Sequence, residues 1–558
     1  MNAYSLCHRM QKIFRVYLLL VISCLTVMSL SATVVSANSV DKLDFEGLIG
    51  EFSKASFKGK SDIVPLIAAS GDSRTIPILE LILEGQLFYQ KSSLTVVSRE
   101  KQSDGYMIVN VLTGQEIGVV QKGTLKKIKV NNALRKKLRS AIASLSLFNS
   151  SAAIRLAAVQ EVIKNPTSEV ADLLLDMSTK EQDEKVLKAV NLALALLELD
   201  SNDREKRIAA LAVLSESLDA QITTRITVLA SKDASGGYVE QDKDVRLAAE
   251  KALKNIESNI KYYEFIETLF FGLSLGSVLL LAAIGLAITF GVMGVINMAH
   301  GELIMIGAYT TYVVQLLMPD HLEYSLFVAI PAAFIVAGLV GILIERGVIQ
   351  FLYGRPLETL LATFGISLIL QQLVRTIFSP LNRSVETPEW MSGALEINSY
   401  FSLTFNRLYI IIFSLIVFVM LLLLLKKTVF GLQMRAVTQN RKMARAMGVR
   451  STWVDALTFG LGSGIAGIAG VALSQLTNVG PNMGQAYIID SFMVVVFGGV
   501  GNLWGTLVAA FSLGIANKFM EPWAGAVLAK ILVLIFIILF IQKRPRGLFP
   551  QKGRNAEN

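Results

Sequence analysis

Asn297, His300 and Glu302 lie in the stretch GVMGVINMAHGELIMIGAYTTY, residues 291–312, which is otherwise almost wholly apolar. Polar and ionisable groups at membrane depth are expensive, so they mark a pathway or a paired site. Asn297 offers both a donor and an acceptor to a neutral, planar polar solute. Glu302 is either a buried partner or a group near the cytoplasmic interface. The alternative is that Asn297, His300 and Glu302 only satisfy each other across helices. Glycines at 291, 294, 301 and 307 permit close helix contact, or a break that exposes backbone donors and acceptors. His300 and Glu302 do not form a zinc deaminase site, because the cysteine ligands are absent.

A second segment mixes the same residue types. In FGGVGNLWG, residues 497–505, Gly498, Gly499 and Gly501 permit a reentrant bend and Asn502 can cap the following helix. The other reading is that these glycines are packing sites. Small residues recur every four positions in FGLGSGIAGIAGVAL, residues 459–473, as Gly460/Gly464, Ser463/Gly467 and Ala466/Gly470. That is a close-packing helix face and is expected to be structural.

The elements that must position these groups follow from the composition. The 558-residue chain is 53% hydrophobic and 17% charged. Up to about Tyr263 it reads as soluble protein, and beyond that long apolar runs dominate. Residues 1–37 read as a signal peptide. His8, Arg9, Lys12 and Arg15 form its basic region, VYLLLVISCLTVMSL its apolar core, and VSA at 35–37 its cleavage site. An uncleaved anchor is the alternative, although the run is short for a span. Cys7 and Cys24 both fall inside this segment, so cleavage leaves no thiol, disulfide or cysteine metal site.

Residues 38–262 are expected to form a mostly helical periplasmic domain. AAIRLAAVQEVI, KVLKAVNLALALLELD, KRIAALAVLSESL and VRLAAEKALKNIES share one small-residue amphipathic pattern, as in HEAT-like helix pairs. A β-rich insertion is expected near 88–130, where SLTVVSRE, GYMIVNVL and EIGVVQKG are separated by turn residues. Nothing here carries a catalytic, metal or cofactor constellation. The expected role is binding or docking.

A mainly α, polytopic transmembrane domain is expected over 263–545, with a cytoplasmic tail at 546–558. Spans are expected near 265–290, 301–318, 325–345, 356–376, 407–425, 454–476, 487–500, 503–519 and 524–542. The 426–453 loop carries seven Lys/Arg residues and no acid, so it and the basic tail should face the cytoplasm. The acidic 377–406 loop then lies outside, and so does residue 264, in agreement with a cleaved signal. No Walker A motif is present, so this chain is not itself an ATPase of that type. The net charge of +9 reflects the cytoplasmic loops and requires no nucleic acid.

GVINMAHGELIMIGAYTTY strongly resembles the signature segment of LivH-type permeases of ATP-binding-cassette transporters, importers of branched-chain amino acids, urea or short amides. The likeness recurs at FGGVGNLWGTLVAA, GLQMRAVTQNRKMARAMGV and RPRGLF, in the same order along the chain. A long secreted extension ahead of such a domain resembles the urea-transport (UrtB-type) branch. The resemblance implies a non-enzymatic inner-membrane permease subunit for urea or short amides, or alternatively branched-chain amino acids. It implies four kinds of neighbour: a second LivM-like permease, two ATP-binding subunits, a periplasmic binding protein and lipid. It further implies that the 426–453 loop holds a coupling helix for the ATPase. Arg435, Ala436, Asn440, Ala444, Ala446 and Gly448 are its candidate residues, with Arg435, Arg441, Lys442 and Arg445 supplying charge. The alternative is that these bases only enforce orientation. The family's opening Glu-Ala-Ala is absent, so no Arg–Glu docking contact carries over. On the same resemblance, Asn297, His300, Gly301, Glu302, Gly498, Gly499, Gly501 and Asn502 are the pathway candidates. A competitor of another class is a receptor or channel whose secreted half senses a ligand.

Overall fold

The computed structural model describes residues 44–549, apart from 92, 94, 103–104, 165, 167–169, 234–235 and 399. The expected signal peptide lies outside the described residues, as do Lys552 and Arg554. The chain divides into two compact units, Met1–Val213 and Leu214–Asn558.

In the first unit, α1 (Phe45–Lys54), α2 (Phe57–Ala69) and α3 (Thr75–Glu84) precede a sheet. Asp44 and Ser56 cap the first two helices by accepting backbone N–H bonds, and Gly85 ends the third in the left-handed region. Strands β1 (Leu87–Gln90), β2 (Val96–Gln102), β3 (Gly105–Asn110), β4 (Glu116–Val120) and β5 (Leu125–Lys127) pair antiparallel in the order β4-β3-β2-β1-β5. This is the β insertion expected near 88–130. Arg99 is held over the rings of Phe88 and Tyr106, at 4.1 and 4.4 Å.

Helices α4 (Asn132–Ser146), α5 (Ala152–Lys164), α6 (Ala171–Lys180), α7 (Glu184–Glu198) and α8 (Arg204–Leu214) follow. α5 and α6 each pack on α7. Arg155 ties α5 to the end of α6 by a bidentate pair with the buried carboxylate of Glu181, both contacts at 2.7 Å. Hydrogen bonding from Arg155 holds the Glu181 carboxyl well below the usual range, at about 2.

The second unit opens with α9 (Ala220–Ala230) and the 51-residue α10 (Lys243–Met293). Val245, Ala249, Ala252 and Ile256 form a buried stripe on the first turns of α10, which pack against α9. From Phe270 onward α10 is buried almost all round. The boundary expected at 262/263 therefore falls inside one helix. The shift in composition there marks a change of surroundings, and the i→i−4 ladder continues through it.

Next come α11 (His300–Leu317), α12 (Leu322–Gly347), α13 (Pro356–Phe378), the hairpin β6 (Ala394–Asn398) and β7 (Phe401–Thr404), and α14 (Phe405–Lys427). The chain ends with α15 (Val429–Gln439), α16 (Arg441–Ala446), α17 (Ser451–Ser474), α18 (Met483–Gly498) and α19 (Leu503–Lys543). Among the described residues six helices are long and apolar enough to cross a membrane: α10, α12, α13, α14, α17 and α19. Each of the nine expected spans falls on a helix, two of them on α19. α19 breaks at Gly525, with φ 76° and ψ 162°. Its far end returns beside its start: Phe540 packs on Phe497 at 4.9 Å, and Asn502 Nδ2 donates to the Phe549 carbonyl at 3.2 Å. Lys530 on the returning half meets Asp490 of α18 at 2.9 Å.

α17 is the hub, packed against α10, α11 and α12. Its small residues do what their spacing predicts. Gly467 and Gly470 meet the α11 backbone at Gly307 and at Ile304, and Gly462 meets Gly285 of α10. A Cβ at any of these positions would collide with a neighbour's backbone. Such packing leaves the interior closed and fixes where the chain between helices must run.

Candidate functional site

The path from α10 to α11 is a break at membrane depth. α10 ends at Gly294, whose φ of 69° only glycine adopts without strain. Residues 295–299 are not helical, and α11 starts at His300. His300 Nε2 lies 2.9 Å from the carbonyl of Ala282, about three turns back along α10. The non-helical backbone is therefore sunk between helices, where its polar groups need partners. Thr363 of α13 supplies them. Met298 N–H donates to Thr363 Oγ1 at 3.1 Å, and that hydroxyl is 3.4 Å from the Ile296 carbonyl. Asn297 Oδ1 accepts from Ala299 N–H at 3.0 Å, an i→i+2 turn that leads into the new helix.

One turn on, Gly301 packs directly on Gly484 in the first turn of α18. Two helix N-termini thus meet inside the unit. Glu302 is 1% exposed, and its Oε1 accepts from Ser367 Oγ at 3.1 Å. Toward the other end of α13, Gln371 Nε2 donates to Asn482 Oδ1 at 3.0 Å and to the Pro481 carbonyl at 3.3 Å. Arg375 donates to the same Asn482 oxygen at 2.6 Å. Thr363, Ser367, Gln371 and Arg375 recur every fourth residue, which places them on one helix face. They form a polar ladder on α13 against both broken-helix ends. Sequence reasoning missed this ladder. The signal was present in TFGISLILQQLVR, where the Thr-Ser-Gln-Arg register is hidden by the apolar residues between.

Asn297, His300 and Glu302 do not satisfy each other. Their bonds go to Ala299, Ala282 and Ser367, and Asn297 Nδ2, His300 Nδ1 and Glu302 Oε2 stay buried without a hydrogen-bond partner among the described residues. Mutual satisfaction is not what these bonds provide: Asn297 bonds within its own turn, His300 to the helix before it and Glu302 to α13.

Gly498, Gly499, Gly501 and Asn502 are placed elsewhere. They form the α18–α19 turn, with Gly499 and Gly501 at φ 103° and 77°. Asn502 Oδ1 accepts from Gly505 N–H at 3.1 Å, the expected cap. Leu548 and Phe549 N–H donate to the carbonyls of Phe497 and Gly498 at 2.9 and 3.2 Å, so the tail closes the turn. The contacts of this cluster are with Gly291, Gly505 and the tail, whereas those of Glu302 are with Ser367 and Gly484.

The coupling candidates sit on α15 and α16. Asn440 caps α16, its Oδ1 accepting from Met443 N–H at 2.9 Å, and Gly448 follows α16 at φ 87°. Arg435 donates to the Leu425 carbonyl. Ala436 is half-buried and Ala446 exposed, but Ala444 is buried within the chain and presents no surface. Arg441 is bound by Asp455 at 2.6 and 2.8 Å and lies over the Tyr353 ring at 3.9 Å, and Arg445 donates to Ser451 Oγ. Arg441, expected to face a partner, is spent on Asp455, whereas Arg445 is exposed and its bond goes to a neutral hydroxyl. Exposed apolar groups are Val429 and Leu432 on α15, and Met443 and Met447 on and just after α16, the last two at 60% and 79%.

The family model described as branched-chain amino acid transport system / permease component matches residues 268–541. The LivH permease of Salmonella typhimurium's high-affinity branched-chain amino acid system is 30% identical over 299 residues, 52% of this chain and 96% of that protein. The corresponding BraD permease of Pseudomonas aeruginosa is 28% identical over 295 residues, 51% and 96% of the two chains. A probable branched-chain amino acid permease, LivH of Methanocaldococcus jannaschii, is 26% identical over 290 residues, 49% and 88%. No solved structure matches the chain. Together with the helical architecture, these matches show that the chain belongs to the branched-chain amino acid transport system permease family and is a multi-pass permease component of an ATP-binding-cassette transporter.

Proposed function

We propose that this permease serves an importer of a small solute rich in N–H donors, with urea or a short amide first. The observation that carries this is the polar ladder of α13 against the two broken-helix ends, where Glu302 Oε2 offers an acceptor and Asn297 Nδ2 a donor, neither with a hydrogen-bond partner among the described residues. A seam lined by hydrogen-bonding groups at successive turns suits a compact polar solute better than a branched apolar side chain. The extension ahead of residue 268 adds the resemblance in organisation to urea-transport members. The second reading is a branched-chain amino acid, favoured by the names of the relatives. Uptake of radiolabelled urea and leucine by cells with and without the gene separates the two. Loss of urea uptake alone is expected, and loss of leucine uptake alone overturns the urea reading.

ATP binding in two partner subunits drives the cycle in this reading, beside a second permease of the same family and a periplasmic binding protein. The α15–α16 segment docks on the ATPase, with Met443 and Met447 as its apolar contact. The N-terminal unit acts as a HEAT-like periplasmic docking module, and the C-terminus faces the cytoplasm of a bacterial inner membrane. Orientation is tested by cysteine labelling, for which the sequence beyond residue 24 offers a thiol-free background. Ser392→Cys should react with an impermeant maleimide on spheroplasts, and Met447→Cys only after permeabilisation. The reverse pattern inverts the topology.

A further inference from the structure

We infer that the seam between α11, α13 and α18 is where the N–H-bearing end of the solute is received, with Glu302 as its acceptor and Ser367 and Gln371 setting specificity. The inference deepens the importer reading and rests on it. Three observations meet here. Glu302 is fully buried, and its Oε2 has no hydrogen-bond partner among the described residues. That oxygen faces the first turn of α18, since a Cβ on Gly484 would stand 2.8 Å from it. Oε1, by contrast, is held by Ser367, which fixes the direction in which Oε2 presents its lone pairs.

A buried acceptor without a donor is costly, and a carboxylate more so. Glycine on both sides, Gly301 and Gly484, keeps the two helix ends in backbone contact. A modest separation of α11 from α18 would open a site whose floor is Glu302 and whose wall is α13. Gln371 and Arg375 converge on Asn482 one and two turns farther along the same face. A solute passing that point exchanges one set of hydrogen bonds for the next. The ligand chemistry is two or more N–H donors on one end, as in an amide, urea or ammonium group.

The test uses the complete importer, reconstituted with its partner subunits in proteoliposomes. ATP-driven uptake is measured against solute concentration and normalised to assembled complex. Glu302→Gln should lower uptake of urea about ten-fold or more, the scale of a lost bond to a charged acceptor. Ser367→Ala should raise KM with assembly and thermal stability retained. Tetramethylurea, which has no N–H, should fail to compete in the wild type. Uptake per complex within two-fold of wild type in both variants overturns the inference, and so does efficient competition by tetramethylurea. If Glu302→Gln does not assemble, the KM of Ser367→Ala decides alone. If the wild type carries leucine and not urea, the urea reading fails. The same variants are then scored on leucine, whose ammonium also donates N–H, so the two failures stay distinct.

Discussion

At the start of α11, glycine brings backbones together and three side chains keep a buried atom that has no partner among the described residues. At the α18–α19 turn, glycine does the same, yet Asn502 caps α19, donates to Phe549, and the tail bonds back to Phe497 and Gly498. Both segments combine glycine with an amide side chain in an apolar stretch. The first leaves hydrogen-bonding capacity at membrane depth, and the second consumes it. Glycine plus a polar group therefore marks a place where helices break. Only the partner inventory tells a pathway from a fastening.

The coupling segment belongs with the fastenings, and the largest effect is expected there. Arg441→Ala leaves Asp455, which is 4% exposed, without its bidentate partner. Removing one member of a buried pair costs about 3–5 kcal/mol. Assembled protein should fall sharply, as read by size-exclusion yield and thermal unfolding. A stable Arg441→Ala variant with lost ATPase coupling would instead make Arg441 part of the docking surface.

A smaller cost is expected at the turn itself. Gly499 has φ 103°, and a Cβ there would stand 2.6 Å from the Phe549 carbonyl oxygen. Gly499→Ala combines left-handed strain of about 1–2 kcal/mol with that clash. Thermal stability should drop while uptake per assembled complex holds. If uptake per complex falls instead, the turn moves during transport and the contrast with α11 fails.

Much of this arrangement was legible in the residues. Nine apolar runs mark nine helical stretches, and the four-residue spacing from Gly460 to Gly470 marks the face that α17 turns to its neighbours. Asn502 reads as a cap because an Asn before an apolar run has one common use. The fate of Ala444 was not legible, since its burial depends on how the short α16 lies on the rest of the chain. Nor was the role of Arg441, whose partner Asp455 stands fourteen residues away on another helix. The ladder on α13 was hidden for a related reason. Each of Thr363, Ser367 and Gln371 is unremarkable alone, and their hydrogen-bond partners lie in segments 65 and 111 residues away.

The finest test concerns Asn297, which does two things at once. Its Oδ1 accepts from Ala299 N–H in the turn that leads into α11, and its Nδ2 is buried without a partner among the described residues. Asn297→Leu removes both roles, so a loss of uptake there would not say which mattered. Asn297→Ser separates them, because a hydroxyl can close the same i→i+2 turn and has no second donor in the Nδ2 position. If Nδ2 serves the solute, Asn297→Ser should assemble normally and lose about 1 kcal/mol in the transporting state, roughly five-fold in uptake per complex. Asn297→Leu should lose stability as well, by about 1 kcal/mol for the missing turn hydrogen bond. If Asn297→Ser instead transports as the wild type does while Asn297→Leu is merely unstable, Asn297 only holds the turn before α11. It then joins Asn502 among the fastenings, and the pathway at the start of α11 narrows to Glu302 and the face of α13.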